Sequence, residues 1–155
     1  MKNIFSITII AILFSSCASM PSQQEMSKEI AGYQLPKTPD DNQAMVYVVR
    51  PSGIGSLVRF NVFLDDRKDD SEMGWTRGGQ HIYFYVQPGT HTISSKAENW
   101  DEIKVTAKSG SVVYIRQDPS MGFIMARNSL VKIDEIEGKY HVMKTSQGEV
   151  IKTEK

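Results

Sequence analysis

Between residues 44 and 117, apolar and polar side chains alternate with a period of two, the spacing of strands with one buried face. Ala44–Arg50 (AMVYVVR) departs from that alternation. It is a nearly continuous β-branched run, which predicts a buried strand ending at Pro51. Leu57–Leu64 sets Val58, Phe60, Val62 and Leu64 on one side and Arg59, Asn61 and Phe63 on the other. Gln80–Gln87 turns Ile82, Phe84 and Val86 inward and Tyr83 and Tyr85 outward. Asp101–Ala107 turns Ile103, Val105 and Ala107 inward, and Ser111–Gln117 is again apolar and β-branched. Turn formers lie between these runs: residues 65–70, Gly78-Gly79, Pro88-Gly89 and Lys108-Ser109-Gly110. Short strands at this spacing, without amphipathic helices between them, predict a mainly β domain over residues 44–144. The expected form is an antiparallel β-sandwich, with a partial barrel as the rival.

The flanks read differently. Asp134 precedes Glu137 by three, a capping spacing that predicts a short C-terminal helix over 135–144. Gly138 opposes it by about 1 kcal/mol relative to Ala, so a hairpin turning at Glu137-Gly138 is the competing reading. Residues 145–155 are polar and are expected to fray. Residues 17–43 hold Ser, Gln, Pro and charge, and read as a flexible tether. A short helix near residues 27–30 or a strand near Tyr33–Leu35 is the alternative there.

Residues 1–16 have the architecture of a secretory signal: Lys2, the uncharged run Ile4–Phe14, then Ser15 and Ser16. That run is too short to span a bilayer, which takes about 20 residues. Leu13-Phe14-Ser15-Ser16-Cys17 resembles the lipobox of bacterial lipoproteins, with Phe14 where the pattern prefers Leu. The resemblance implies diacylglyceryl attachment to Cys17, cleavage before it, and a mature chain starting there. Ala18 resembles an outer-membrane address. An acylated chain of this kind is held at the membrane by its buried methylenes.

Composition narrows the classes further. Eighteen basic and eighteen acidic side chains cancel, which argues against a nucleic-acid footprint. One cysteine excludes an intrachain disulfide and a thiolate zinc cage. His81, His91 and His141 show no metal-ligand pairing. The acidic run 65–70 places Arg67 and Lys68 where a calcium loop needs a glycine bend, so it reads as a solvated turn. Gly53-Ile54-Gly55 precedes no helical pattern and is no phosphate loop. No nucleophile elbow occurs. The expectation is therefore no catalytic residues, no metal and no cofactor.

Three further stretches carry a resemblance. They are Val46-Tyr47-Val48-Val49-Arg50-Pro51, Val62-Phe63-Leu64-Asp65-Asp66, and Val86-Gln87-Pro88-Gly89-Thr90-His91-Thr92-Ile93. Together with Gly110–Ile115 they resemble a family of bacterial lipoproteins with a domain of unknown function. The Pro-Gly-x-His turn is also similar to that of PEGA-type envelope domains. The resemblance implies an immunoglobulin-like or transthyretin-like sandwich in the envelope, and no known activity.

The functional hint left is aromatic. Tyr83, Tyr85 and Phe63 point away from their strands' inward sets, and Trp75 and Trp100 lie near turns. If they converge, they form a patch for an envelope protein or glycan. If they do not, the tether or the C-terminal helix covers the outward tyrosines. The leading expectation is an outer-membrane lipoprotein facing the periplasm, anchored at Cys17, with a non-catalytic binding or scaffolding domain. The alternatives are a hydrolase assembled from dispersed residues and a carrier of a small apolar ligand.

Overall fold

The computed structural model describes residues 20–154. Cys17 and residues 1–16, for which a secretory signal is expected, lie outside the described residues. Ten strands form two five-stranded sheets stacked as a β-sandwich, with one short helix before the domain and one after its eighth strand. Sheet I has the order β8-β7-β1-β4-β9, and sheet II the order β10-β3-β2-β5-β6. Strand β1 is Ala44–Arg50, β2 Phe60–Leu64, β3 Glu72–Thr76, β4 Gln80–Val86 and β5 Gly89–Lys96. The rest are β6 Trp100–Ala107, β7 Val112–Met121, β8 Ala126–Ile133, β9 Ser146–Gln147 and β10 Glu149–Val150.

Pairing is mostly antiparallel, but β1 runs parallel to β7 and β4 parallel to β9, which corrects a purely antiparallel sandwich. The cause is connectivity. Two sheet II strands, β5 and β6, intervene between β4 and β7, so the chain re-enters sheet I beside β1 in β1's own direction.

All seven residues of β1 are buried, because the strand is central and covered on both faces. Ala44, Val46 and Val48 face the sandwich interior with Val62, Met73, Ile82, Phe84 and Ile93. Met45, Tyr47 and Val49 face the other way, into a second cluster with Tyr83, Tyr114, Ile133 and Val142. A polar thread crosses the interior. The Thr76 hydroxyl donates to Gln117 Oε1 and Gln117 Nε2 donates to Ser95 Oγ, at 2.5 and 2.8 Å. All three groups are buried and mutually satisfied, as a low-dielectric interior requires.

Helix α2 is Glu135–Lys144, capped by the Asp134 carboxylate, which accepts from the Glu137 amide at 2.9 Å. The helix stands where the capping spacing places it, and Gly138 explains itself. A Cβ there would lie 2.2 Å from the Tyr114 ring, so glycine lets the helix backbone lie directly on sheet I.

The tether expectation gives way over residues 20–39. Ser22 and Glu25 form a capping box that starts helix α1, Gln23–Glu29. Met26 is buried, Gln23 donates to Asp134, and Glu29 pairs with Lys144 at 2.5 Å. Tyr33 and Leu35 then pack on the second cluster. Low hydrophobicity hid this, because a few apolar anchors and a cap suffice when the sheet beneath is apolar.

The fraying expectation for 145–155 is also corrected. Strand β9 adds to sheet I and β10 to sheet II. Ile151 N and Lys152 N donate to Met73 O, and Tyr85 N donates to Thr153 O. Open edges carry unpaired backbone groups, and a polar segment satisfies them as well as an apolar one. At the opposite margin, side chains from the β5–β6 turn and β6 close on β8. Asn99 and Asn128 exchange bonds through side chain and backbone, and Asp101 accepts from Leu130 N at 2.6 Å.

Candidate functional site

The five aromatic residues do not form one patch. Tyr83 and Tyr85 lie on the outer face of sheet I, under the material that covers it. Tyr47 stands between Tyr83 and Tyr114, with ring centroids 5.7 and 6.0 Å away. Its hydroxyl donates to Lys37 O and accepts from Lys37 N, at 2.8 and 3.0 Å, and so pins the incoming chain across the face. Burial pushes that hydroxyl's pKa up to about 12. The outward tyrosines thus pack with α2 and residues 33–35, Tyr83 buried and Tyr85 half-buried.

Phe63, Trp75 and Trp100 do share a face, the outer side of sheet II. Register puts Trp75 opposite Asn61, Asn61 opposite Lys96, and Lys96 opposite Trp100, one row across four strands. At about 4.8 Å between strands, the two tryptophans stand roughly 14 Å apart at the backbone. Phe63 lies in the adjoining row, its ring 5.1 Å from that of Trp100. The guanidinium of Arg67 and the ammonium of Lys96 sit 4.9 and 5.4 Å from the Trp100 ring. Those of Arg59 and Arg77 sit 5.9 and 5.1 Å from Trp75. Asn61 donates to Glu72 at 2.5 Å, and Arg67 pairs with Glu102 at 2.7 Å.

A groove of about 560 Å³ opens on this face, lined by Asn61, Phe63, Glu72 and Lys96, with Leu57 and Met125 at one end. It combines the Phe63 ring with the Asn61 amide, the Asp69 and Glu72 carboxylates, the Lys96 ammonium and the Arg59 guanidinium, and Trp75 and Trp100 stand on the same face outside its lining. That set suits a neutral, hydroxyl-rich or amide-bearing ligand better than a strongly charged one. The sequence reading missed Asn61, Glu72 and Lys96. Strand register is what joins them to the aromatics, and register is invisible until β3 and β5 are known.

The histidines do not make a hydrolytic centre with one another. His91 Nδ1 lies 3.1 Å from both Asp65 carboxylate oxygens, and its Nε2 lies 2.7 Å from Gln87 O. Both ring nitrogens are engaged in fastening a turn. His81 is buried, Nδ1 2.9 Å from the Thr145 hydroxyl, and burial lowers its pKa. His141 is buried under α2, Nε2 3.5 Å from Glu137, and burial lowers its pKa as well. Glu137 also pairs with Arg116, which grips Asp118 through two bonds of 2.7 and 2.8 Å. These carboxylates hold the guanidinium above its ordinary range and rivet α2 to β7. Among the described residues, no group of three or more acidic, histidine or cysteine side chains is placed to hold a metal ion.

The motif residues turn out to be fasteners. Asp65 adopts φ +67°, and its carboxylate takes His91 and the Thr92 amide, joining the end of β2 to β5. Arg50 is completely buried, 3.6 Å above the Phe60 ring. Its guanidinium donates to the carbonyls of Val58, Ile54 and Gly55 at 2.6, 3.0 and 2.8 Å. With no carboxylate beside it, burial draws its pKa down to about 10. Residues 40–129 match the model of a family described as a protein of unknown function, DUF2846. The chain belongs to the DUF2846 family. An uncharacterized protein of Haemophilus influenzae is 26% identical over 140 residues, 90% of this chain and 80% of its own. The DUF2846 match spans β1 to the early part of β8 and leaves out α1, α2 and the tail. It therefore holds Tyr47, Arg50, Asp65, His91 and the whole groove-bearing outer face from β2 to β6.

Proposed function

We propose that this DUF2846 protein is a lipid-anchored envelope component, acylated at Cys17 and held on the periplasmic side of the outer membrane. Its sandwich acts as a non-catalytic binding module. The observation that carries the binding role is the row Trp75, Asn61, Lys96, Trp100 with Phe63 beside it, on a broad face that no α-helix of the described residues covers. Flat apolar rings flanked by amide, carboxylate and ammonium groups fit the pyranose faces and N-acetyl groups of an envelope glycan. The lipobox-like Leu13–Cys17 and the absence of any other cysteine support the anchor. The three histidines stand apart, His91 fastening a turn and His81 and His141 buried, and this dispersal speaks against hydrolysis. The interior filled by Val46, Val48, Met73, Ile82 and Phe84 leaves little for the carrier reading to rest on.

Two measurements test the two halves. Cells fed an alkyne palmitate incorporate label into the protein, and Cys17→Ala abolishes it. Purified acylated protein co-sediments with isolated peptidoglycan sacculi, and Trp75→Ala together with Trp100→Ala lowers the bound fraction about tenfold, the worth of two stacked contacts. Tyr85→Ala leaves it unchanged. Sedimentation that ignores the tryptophans overturns the glycan site and points to a protein partner on the same face.

A further inference from the structure

One end of the sandwich exposes apolar side chains in a way its loops do not need. In the β1–β2 loop, Leu57 is 87% exposed and Ile54 59%. In the β7–β8 hairpin, Phe123 is 95%, Ile124 84% and Met125 50% exposed. The two loops meet. Gly55 approaches Ala126 so closely that a Cβ would lie 2.8 Å from the alanine's, and Leu57 and Met125 line the same end of the sheet II groove. Isolated exposed apolar residues need no account, but five on two touching loops form a patch that water disfavours.

Neither loop is loosely held. The buried Arg50 guanidinium takes three carbonyls of the first loop. The Glu98 carboxylate takes the amides of Phe123, Ile124 and Met125, at 2.8, 2.8 and 2.6 Å. In each loop one ionic side chain takes three backbone groups while the apolar side chains stay exposed. That is the arrangement expected of a surface presented to an apolar phase, where an unsatisfied backbone group is costly.

The chain also enters at this end. Met20 and Pro21 share a surface hollow with Pro51 and Ser52, the first residues of the β1–β2 loop. Cys17 is three residues upstream, so chain length alone keeps it within about 11 Å of Met20. We propose that Ile54, Leu57, Phe123, Ile124 and Met125 form a tip that inserts into the headgroup–acyl boundary of the membrane bearing the Cys17 lipid. This inference rests on the anchor reading. The acyl chains hold the domain at the bilayer, and the tip fixes its orientation, with the strands standing on the membrane and the broad faces upright beside it.

The test uses the full, acylated chain in phosphatidylethanolamine–phosphatidylglycerol vesicles. Acylation blocks the Cys17 sulfur, so Phe123→Cys supplies a single free thiol for an environment-sensitive fluorophore. Lys108→Cys, in the turn before β7 at the opposite end of the sandwich, is the control. Position 123 is exposed, so the substitution disturbs no packing, and Ile54→Cys repeats the reading from the other loop. Nitroxide-bearing lipids are expected to quench positions 123 and 54 at least about threefold more than position 108, as insertion by several ångströms requires. Equal quenching on a palmitate-bearing chain overturns the tip and leaves the anchor standing. Disulfide formation between position-123 thiols without quenching assigns the tip to a second copy and also overturns it. Absence of palmitate from the cellular protein overturns the anchor and this inference with it.

Discussion

The outer faces of sheet I and sheet II both carry aromatic side chains at alternate positions of their strands, and the two faces are finished differently. On sheet I, Tyr47, Tyr83 and Tyr114 are roofed by α2, α1's following segment and Val142. On sheet II, Trp75, Phe63 and Trp100 are flanked by Arg59, Arg67, Arg77 and Lys96, with no α-helix above among the described residues. The difference lies in what the rest of the chain supplies. Both chain flanks fold back on sheet I, and a row of cations stands beside the rings of sheet II. An outward aromatic in a strand therefore has no fixed meaning; its role depends on whether a terminal segment reaches it.

The strongest way to break this contrast is at the roof. Gly138→Ala should destabilise the protein by about 3 kcal/mol, because the new methyl overlaps the Tyr114 ring. Helix propensity alone would give a gain of about 1 kcal/mol. Chemical denaturation decides between the two signs, and a stabilised variant would mean that α2 does not lie on sheet I.

Two tyrosines sharpen the contrast within the roofed face. Tyr47→Phe loses both bonds to Lys37 and should cost about 1 kcal/mol. Tyr114 buries its hydroxyl without a partner among the described residues. Tyr114→Phe should accordingly be neutral or stabilising in the same denaturation assay. Equal losses would show that the two hydroxyls share one environment.

The roofed face should also sense acid. Burial holds the folded pKa of His81 below its ordinary 6.5, so the unfolded chain takes up a proton first as pH falls. Its contribution is complete above about pH 6.5 and is lost as pH drops through the folded value. His141 is shifted in the same direction. His81→Asn should therefore flatten, without abolishing, the fall in melting temperature between pH 7 and pH 5. An unchanged slope would place the proton uptake elsewhere.

A small stability effect belongs to the open face. Trp75→Ala should cost about 1 kcal/mol, the scale of cation–π contacts at a partly buried ring. Its loss should appear in glycan binding instead. A large destabilisation would make Trp75 a structural residue and weaken the case for a site.

The sequence made the inner skeleton legible and the edges illegible, for physical reasons. Strands β2, β4 and β6 alternate because one face of each meets the core, whereas β1 and the first half of β7 stand out as continuous apolar runs, β1 because both of its faces are covered. Strand β3 (EMGWT) hides because Gly74, at φ +156°, lets the Glu149 carbonyl approach where a side chain would stand. Strand β5 (GTHTISSK) is written in hydroxyls, two of which, Ser94 and Ser95, are nonetheless buried. Strand β8 sits at an edge and alternates weakly. Of the candidate site, the aromatics were legible singly, but their grouping was not. Tyr83 and Tyr85 left the patch, and Asn61, Glu72 and Lys96 joined it, because neighbours across a sheet are set by pairing far along the chain.

The tail that clips both sheets has a consequence for biogenesis. Strands β9 and β10 come from residues 146–150, yet they seal the margins of β4 and β3, laid down some seventy residues earlier. A growing chain exposes those margins until residues 146–150 have followed. The last strands thus act as a latch, and every intermediate made before them carries two open edges able to pair with the wrong partner.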